Sequence, residues 1–583
     1  MIEGWVVLPD RPDAQRVVTE WPSQSRWVLA HASGNLWLVG SLDQEVTLAS
    51  VGSLRVAVIG SCPVTATRLT DLVTRVRTVA ELDAVARVLP GCFHLVASVD
   101  GVVRVQGSVT GVRRVFHTRT QRVPIAGDRA DVLARMAGAG VDEQALAVRV
   151  ACWWKVAPPL GERSLWRGVR ALAPDHYLRI DSNGTVGERR WWQPPEPEMA
   201  VTVGAGAGAV RQALETAVAA RRPPPGRMSA DLSGGLYSTS LCFLAHREVT
   251  PDLLIFRHAE ADDDAVFATH PVSGLHHAEH VVLGPAEMPG IFTNVGDTGD
   301  TEAPYPFART LARVRRSTAL LAAHGARVHL AGHGGDELFH SPPAYQHSPR
   351  RPVTTITQVR GYHALHRWPL GSAVSGPLRR RTPELGRGGP LRAPVWVTSA
   401  AVDTTRAVLH SPGDQAGSPV ADRGHHVTLT ILRTLGTHYR QLARLFRTAG
   451  VNLALPYFDD RVIEAVLAVG QHERRAPWRY KPLLVEAMRP ILPQVIATRT
   501  AERGRHEDLR VGLRRNLPRI LNLFADSALA THGLINPDLL RRALLAPQAD
   551  NAAVLALEDL LGCETWLRAA QTPSPHATAQ VCW

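Results

Sequence analysis

Short apolar runs separated by turn residues dominate the first third of the chain. Leu36–Val39 and Val102–Val105 are two such runs, and the turn pairs Ser33-Gly34 and Asp100-Gly101 precede them. Apolar runs of about four to eight residues between turn residues are typical of strands. The pattern therefore predicts a β-rich, layered domain over residues 1–195.

From residue 228 onward, strand-like runs alternate with segments of helix length. Met228–Leu232 alternates as a short strand does, and Leu253–Phe256, Val281–Leu283 and Val328–Leu330 are further apolar runs. Strands that alternate with helices indicate a parallel sheet with helices on both faces. Ligands in such folds bind at the carboxyl ends of the strands.

The remaining pattern predicts a mostly helical carboxyl-terminal part. Apolar residues recur at helical spacing over 426–450 and from Leu509 to about Ala570. The glycines of Gly204–Gly208 mark a boundary before a second domain over 205–583. Within that domain the Pro-, Gly- and Arg-rich region 341–422 is predicted to form loops.

A glycine-rich turn carries the first candidate chemistry. Leu232-Ser-Gly-Gly235 follows the strand, and Ser238-Thr-Ser240 supplies hydroxyl groups at a predicted helix start. A strand, a glycine-rich turn and a helix amino terminus together form an anion site. No Gly-Lys-Ser/Thr follows, so the turn is not a Walker loop. An ordinary strand–turn–helix joint remains the alternative for these residues alone.

A second glycine-rich turn, Gly332–Phe339, follows the run Val328–Ala331 and contains two acids, Asp336 and Glu337. Mg²⁺ beside a triphosphate prefers one or two carboxylates together with phosphate oxygens. Asp336 is therefore a candidate metal ligand, and stabilisation of a helix dipole is the alternative. Glu337 is expected to have a structural role.

The order of three motifs resembles the asparagine-synthetase superfamily of ATP pyrophosphatases. They are Ser233-Gly-Gly-x-x-Ser238, Gly332–Phe339 and Pro456-x-x-Asp459. Within that superfamily the chain looks most like the lasso-peptide macrolactam cyclases. Further segments fit the same family: Lys481–Leu484, Leu492-Pro493, Arg499, Val56–Gly60, Gly91–Val96, Gly111–Phe116 and Trp191–Pro195.

The resemblance implies an α/β chain, α+β overall. A glutaminase-like amino-terminal domain would precede an α/β synthetase domain of the PP-loop ATP pyrophosphatase type. A working glutaminase of this kind exposes a cysteine at its processed amino terminus, whereas this chain has Ile2 and its first cysteine is Cys62. We therefore expect that the domain does not hydrolyse glutamine and serves as a scaffold or a peptide-docking surface.

The resemblance also implies roles for individual residues. His333 stands near the position where related β-lactam-forming synthetases carry a tyrosine that helps to deprotonate the attacking amine. A histidine could accept that proton, and a packing role is the alternative. Lys481, one of only two lysines in the chain with Lys155, would stabilise phosphates or an anionic intermediate. The expected ATP-binding residues are Leu232, Ser233, Gly234, Gly235, Ser238, Thr239, Gly332, Gly334 and Gly335.

Two positions depart from the family pattern. Tyr237 stands where family members place an aspartate that holds Mg²⁺, and a phenol is a weak metal ligand near neutral pH. Arg503 stands near where many members carry a second lysine. Other acids have simpler explanations, because Asp459 and Asp460 suit a helix start near Val462, and Asp262–Asp264 suit the cap of another helix. Contact of Asp262–Asp264 with the nucleotide ribose or a metal is the alternative.

The function implied is ATP-dependent macrolactam formation in a lasso-type peptide. ATP with Mg²⁺ would adenylate an Asp or Glu side chain of a linear core peptide, and the peptide's amino-terminal amine would then displace AMP. A leader-recognition protein and a leader peptidase would be partners. The alternatives are another amide ligase acting on a small substrate, and a catalytically impaired peptide-binding relative in which Tyr237 has damaged the metal site.

Composition agrees with a large globular enzyme. The chain has 583 residues, 45% of them hydrophobic, and a net charge of +12. The basic residues are dispersed and form no stripe with aromatic residues, so no nucleic-acid partner is expected. No apolar run approaches the roughly 20 residues of a membrane span. The six scattered cysteines contain no Cys-x-x-Cys pair, which favours a reducing cytoplasm without structural zinc or disulfides.

Overall fold

Two six-stranded antiparallel sheets occupy the amino-terminal part of the computed structural model. Their strands are β1 Trp5–Val7, β2 Arg26–Ala30, β3 Leu36–Ser41, β4 Val46–Val51, β5 Leu54–Ser61, β6 Cys92–Val99, β7 Val102–Gln106, β8 Phe116–Thr120, β9 Val123–Gly127, β10 Arg170–Ala171, β11 His176–Ile180 and β12 Val186–Arg190. The first sheet has the order β10-β8-β9-β1-β3-β2 and the second the order β12-β11-β7-β6-β5-β4.

The structure describes part of the chain, and every structural statement here concerns that part. It comprises residues 4–18, 26–41, 45–152, 160–196, 201–223, 226–249, 252–258, 274–339, 360, 363–364, 391–410, 423–474, 478–497, 507–546 and 551–572.

The two antiparallel sheets stack face to face, and apolar side chains from both sheets form the core between them. In β5, Ala57 and Ile59 join a core with Trp5 and Trp37 of the first sheet. Val56 on the opposite face of β5 joins a different core, which continues into the carboxyl-terminal part. This alternation follows from the period of two along a strand. The β-rich layered domain predicted from the sequence is thereby confirmed.

A five-stranded sheet with the order β15-β14-β13-β16-β17 forms the centre of the carboxyl-terminal part. Every pair of neighbouring strands in it is parallel, which confirms the α/β prediction. β17 was not predicted, since its three residues form too short an apolar run. The strands are β13 Arg227–Asp231, β14 Leu253–His258, β15 Glu279–Leu283, β16 Ala326–Leu330 and β17 Asn452–Ala454.

Helices cover these sheets and make up most of the last 80 described residues. The α-helices are Ala66–Val73, Leu82–Val88, Ala130–Ala137, Glu143–Cys152, Val203–Ala219, Leu236–Val249, Leu311–Ala323, Gly335–Phe339, Ser399–His410, Arg423–Thr448, Asp460–Ala468, Gln471–Arg474, Pro482–Met488, Gln494–Ala497, Glu507–Ala525, Ala528–Thr531, Pro537–Leu545 and Asn551–Gln571. The 3-10 helices are Pro12–Val18, Leu160–Glu162, Pro285–Glu287, Ala308–Thr310 and Pro456–Phe458. None of the described helices has the length and apolar character needed to cross a bilayer.

Two segments differ from their predicted local structure. Gly204–Gly208 lies inside the helix Val203–Ala219, although its glycines suggested a break between domains. Packing explains why a glycine occurs at position 206 of this helix, because a Cβ there would lie 2.2 Å from Cγ2 of Val469. Close packing therefore requires a glycine in this helix.

Within 341–422 the structure contains the helix Ser399–His410, and most of the rest of that region lies outside the described residues. The limits of the two domains stay a prediction.

Buried arginines join the amino-terminal sandwich to the carboxyl-terminal part through hydrogen bonds and through ion pairs such as that between Arg129 and Asp300 at 3.5 Å. Arg440 pairs with Glu302 and also donates to the backbone carbonyl of Asp128. Arg129 donates to Thr301 Oγ1 at 3.0 Å, and that hydroxyl donates to Asp131 at 2.8 Å. Charges buried in this way are stable only while their partners stay in place. The two parts are therefore held in one arrangement.

The glycines of Val203–Ala219 provide a matched pair for a stability test. Gly208→Ala should raise the free energy of unfolding by about 0.5–1 kcal/mol, because alanine favours helix and the new Cβ meets nothing within 4 Å. Gly206→Ala should lower it by about 1–3 kcal/mol, because the new methyl group collides with Val469. Urea unfolding followed by tryptophan fluorescence measures both. Equal effects of the two substitutions would contradict the packing described.

Removal of one guanidinium tests the link between the parts. Arg440→Met should lower the free energy of unfolding by about 3 kcal/mol, because Glu302 would keep a buried charge without its main partner. Arg406→Met is the control, since Arg406 pairs with Asp403 on the exposed surface and should change stability by less than about 1 kcal/mol. Comparable urea midpoints for the two variants would show that Arg440, which donates to the Asp128 carbonyl, does not stabilise the contact between the parts.

Candidate functional site

Two glycine-rich loops meet at the carboxyl ends of neighbouring parallel strands. β13 and β16 are hydrogen-bonded with Ala230 opposite Leu330, so the loops that follow both strands leave the same edge of the sheet. The first, Leu232–Gly235, leads into the helix Leu236–Val249. The second, Ala331–Gly334, leads into the helix Gly335–Phe339. The expected ATP-binding residues thus lie in two adjacent loops.

Hydroxyl groups stabilise the first loop from within. Ser233 Oγ lies 2.8 Å from Ser238 Oγ, and Thr239 Oγ1 donates to the carbonyl of Gly235 at 2.7 Å. Gly234 has a φ of +78°, which favours glycine. The helix starts at Leu236, so the amides of Leu236, Tyr237 and Ser238 precede the first helical hydrogen bond, which Thr239 donates to the Gly235 carbonyl at 3.1 Å. Together with the positive end of the helix dipole, these amides form a site suited to phosphate.

Leu232 contributes differently, because it extends the sheet. Its side chain is buried and its amide donates to the carbonyl of Phe256 at 2.8 Å. The side chain therefore anchors the start of the loop, and its amide is already used within the fold.

The second loop packs directly on the start of the helix Leu236–Val249. A Cβ on Gly332 would lie 3.0 Å from the amide nitrogen of Ser238, and a Cβ on Gly335 would lie 2.3 Å from Cδ1 of Tyr237. Gly334 has a φ of +89°, and a Cβ there would lie 2.5 Å from the ring of Phe458. All three positions thus require glycine, which explains them without any contact to nucleotide.

Tyr237 is a buried residue between these loops. Its ring makes an edge contact with Tyr457 at 5.5 Å between centroids and lies 6.3 Å from Phe339. The Tyr457 hydroxyl donates to the Tyr237 carbonyl at 3.1 Å. Burial, and then the nearby Asp336 carboxylate, raise the pKa of Tyr237 well above its usual value. Tyr237 is therefore a neutral phenol at pH 7, which is a poor ligand for Mg²⁺.

Lys481 approaches the free face of the Tyr237 ring. Its Nζ lies 3.8 Å from the centroid of that ring, 4.7 Å from that of Tyr480, and 3.3 Å from Asp336 Oδ1. The side chain of Lys481 is only 2% exposed, whereas that of Asp336 is 61% exposed. The lysine is thus held inside the protein, and the carboxylate faces the cleft.

The donor set decides how a metal ion could be held here. The described residues contain no group of three or more His, Cys, Asp or Glu side chains that could enclose a metal. Asp336 is a single accessible carboxylate, and Mg²⁺ commonly binds through one or two carboxylates and nucleotide phosphates. The site therefore fits an ion carried in on the phosphates, and it does not form a metal site without them. Burial raises the pKa of the neighbouring Glu337.

His333 lies in the same cleft and is solvent-exposed. Its ring stacks on Tyr439 with 4.4 Å between centroids and 16° between planes. The surrounding protein disfavours the imidazolium and lowers the pKa of His333, while the Asp231 carboxylate opposes this shift. His333 is consequently neutral at pH 7 and is able to accept a proton.

The sequence did not identify several residues that lie around His333 and the first glycine-rich loop. Asp231 Oδ1 lies 3.2 Å from His329 Nε2, and His329 Nδ1 lies 3.0 Å from Ser229 Oγ. Tyr439 lies in the segment 426–450, whose apolar spacing predicted only a helix. The phenol hydroxyl of Tyr439 among the leucines of this helix face could have indicated a functional residue. Asp231 could have been found as a polar residue at the end of a buried strand.

The other acidic residues singled out in the sequence either make structural contacts or lie outside the described residues. Asp459 caps the helix Asp460–Ala468 by accepting from the amide of Arg461, as expected, and pairs with Arg221 at 3.1 Å. Asp460 accepts from the amide of Val109 in the amino-terminal part at 3.1 Å. Asp262–Asp264, Lys155, Arg499 and Arg503 lie outside the described residues.

Comparison with known proteins gives one substantial match. The sequence model of the asparagine synthase family matches residues 209–568, which include both loops and Lys481. No curated protein is similar enough to count as a match.

Two solved structures resemble parts of the chain weakly. The allosteric regulatory enzyme of purine biosynthesis is 8% identical, with 50% of this chain and 82% of that chain covered and a TM-score of 0.23. Glutamine phosphoribosylpyrophosphate amidotransferase from B. subtilis, complexed with ADP and GMP, is 9% identical, with 59% and 82% covered and a TM-score of 0.23. Similarity at this level supports no argument about the site.

Proposed function

The chain belongs to the asparagine synthase family, and we propose that it uses the family's ATP-dependent amide-bond formation to close a macrolactam ring in a linear, lasso-type peptide. The substrate would be a core peptide with an Asp or Glu side chain at the ring position. A leader-recognition protein and a leader peptidase would deliver it.

The proposal depends most on one observation, the presence of an anion site, a buried ammonium and a neutral base in a single cleft. The helix start at Leu236 would hold the ATP phosphates. Lys481 would offset their negative charge or that of the tetrahedral intermediate. His333, exposed beside them, would take the proton of the attacking amine. Three groups of this kind match the needs of carboxylate activation followed by aminolysis.

The chemistry divides into two displacement steps. The peptide carboxylate would attack the α-phosphorus of ATP, the bond to the β-phosphate would break, and pyrophosphate would leave. The amino-terminal nitrogen would then attack the acyl carbon, lose a proton to His333 and displace AMP. Mg²⁺ bound to the phosphates would stabilise the leaving pyrophosphate as a Lewis acid, and Asp336 is the described carboxylate that would hold it.

The described cysteines support an amine that arrives with the substrate. Burial raises the pKa of Cys62 and of Cys152 to about 11, and it also raises the pKa of Cys92, Cys242 and Cys563. These groups are neutral thiols at pH 7, and the thiolate is the nucleophilic form. None of them suits the nucleophile of a glutamine-hydrolysing site, which favours an amine carried by the peptide itself.

Reconstitution with the peptide tests the proposal. A short reading frame beside the gene would supply the peptide sequence. With ATP and Mg²⁺, the protein should release AMP and pyrophosphate and convert the linear peptide into a product lighter by one water. Peptides with an acetylated amino terminus, or with Asn or Gln at the acceptor position, should give no ring. Pyrophosphate release without peptide would instead indicate a small-molecule ligase, and peptide binding without AMP formation would indicate a non-catalytic relative.

The pH profile tests the role of His333. Because the pKa of His333 is lowered, the imidazole stays neutral at pH 7, and ring formation should fall only as the pH drops through that lowered pKa. His333→Gln should slow ring formation by about 10²–10⁴-fold and remove this acid limb. His324→Gln, a change at an exposed residue paired with Glu279, is the control and should keep the limb. An unchanged acid limb in His333→Gln would assign the base elsewhere.

A further inference from the structure

We propose that Tyr237 is a positioning residue whose ring face holds the Lys481 ammonium beside the phosphate site, so that a protein-borne cation neutralises nucleotide phosphate without a divalent metal ion at that point. The inference rests on the proposed use of ATP and adds a property to it. ATP should bind to this protein even when divalent metal ions are removed.

Three groups surround the ammonium and explain its position. The Tyr237 ring lies 3.8 Å from Nζ, Asp336 Oδ1 lies 3.3 Å away, and the Tyr480 ring centroid lies 4.7 Å away. The face of an aromatic ring attracts a desolvated cation electrostatically. A buried ammonium requires such compensation, because it has lost most of its water. The contacts therefore fix a buried positive charge 3.3 Å behind the exposed Asp336 carboxylate.

The backbone at Lys481 indicates that this position is imposed by its surroundings. Lys481 has a φ of +43° and precedes the helix Pro482–Met488 without capping it through its side chain. A left-handed conformation is unfavourable for a non-glycine residue, because its Cβ crowds the backbone. The side chain thus gains its contacts to Tyr237 and Asp336 at a conformational cost, which is the pattern found at functional sites.

The Tyr237 ring is equally constrained. Gly335 leaves room for it, since a Cβ at that position would lie 2.3 Å from Cδ1 of the ring. Tyr457 and Phe339 contact other parts of the same ring. The ring therefore presents a fixed face to the ammonium, and its phenol oxygen is not required for that contact.

The charges of Asp336 and Lys481 determine how the cleft would interact with a triphosphate. Asp336 brings one negative charge to the cleft and Lys481 brings one positive charge, 3.3 Å apart. A carboxylate at position 237 would make the same cleft anionic, and a triphosphate would then need a divalent ion between the like charges. With a phenol there and an ammonium on its face, the like-charge barrier to a metal-free triphosphate is lower than it would be with a carboxylate at position 237.

Equilibrium binding of ATP, with EDTA and separately with Mg²⁺, tests the inference. The wild-type protein should bind ATP in EDTA with an affinity within about tenfold of that in Mg²⁺. Lys481→Met should weaken binding in EDTA by about tenfold or more, and by less in Mg²⁺. Arg406→Met removes an exposed positive charge elsewhere and is the matched control for net charge.

Variants at Tyr237 separate positioning from general damage to the fold. Tyr237→Leu should lose binding in EDTA as Lys481→Met does, whereas Tyr237→Phe keeps the ring face and should retain most of it. Thermal unfolding identifies any variant that does not fold. If Lys481→Met does not fold, Lys481→Gln removes the charge in its place, and Lys481→Arg, which keeps the charge, should retain more binding in EDTA than Lys481→Gln does. A protein that binds ATP only with Mg²⁺, or a Lys481→Met variant that binds as wild type does in EDTA, would overturn the inference.

The measurement of ATP binding does not depend on ring formation in the peptide. If metal-free ATP binding follows Lys481 and Tyr237 but no peptide is cyclised, the proposed function fails and the inference stands. If peptide is cyclised but ATP binds only together with Mg²⁺, the inference fails and the proposed function stands.

Discussion

The contact between the Tyr237 ring and its neighbours determines the geometry of the candidate site. The ring occupies the space left by Gly335 on one side and carries the Lys481 ammonium on the other. It thereby sets how closely the two glycine-rich loops approach and where the only lysine among the described residues places its charge. An aspartate is much smaller than a tyrosine, so the same loops around an aspartate would leave a gap, which close-packed interiors do not tolerate.

The parallel sheet explains why residues far apart in sequence share this cleft. β13 and β16 lie side by side, so the turns after them are neighbours although almost 100 residues separate them. The helix Arg423–Thr448 then brings Tyr439 against His333. The site is thus assembled from four segments, which are the two turns, the helix Arg423–Thr448 and the segment that ends at Lys481. Loops alone would not hold these side chains in a fixed arrangement.

The sequence predicted the classes of structure well where the apolar period was clear. The runs around Leu254 and Val328 became parallel strands, and the leucine spacing after Leu509 became helices. The sequence misled at Gly204–Gly208, because glycine marks both breaks and close helix packing, and only the distance to Val469 distinguishes the two. Tyr237 was recognised as an unusual residue for a metal position. Its contact with Lys481 could not be predicted, because the two residues are brought together only by the tertiary fold.

The carbonyl of Asp128 accepts a hydrogen bond from Arg440, 312 residues later in the chain. During synthesis at about 5–20 residues per second, the amino-terminal sandwich would wait roughly 15–60 seconds for that arginine to be made. Throughout this interval the carbonyl of Asp128 lacks its arginine donor. A nascent protein of this architecture therefore exposes an incomplete polar surface for much of its translation, and slow elongation in the carboxyl-terminal part would lengthen its dependence on chaperones.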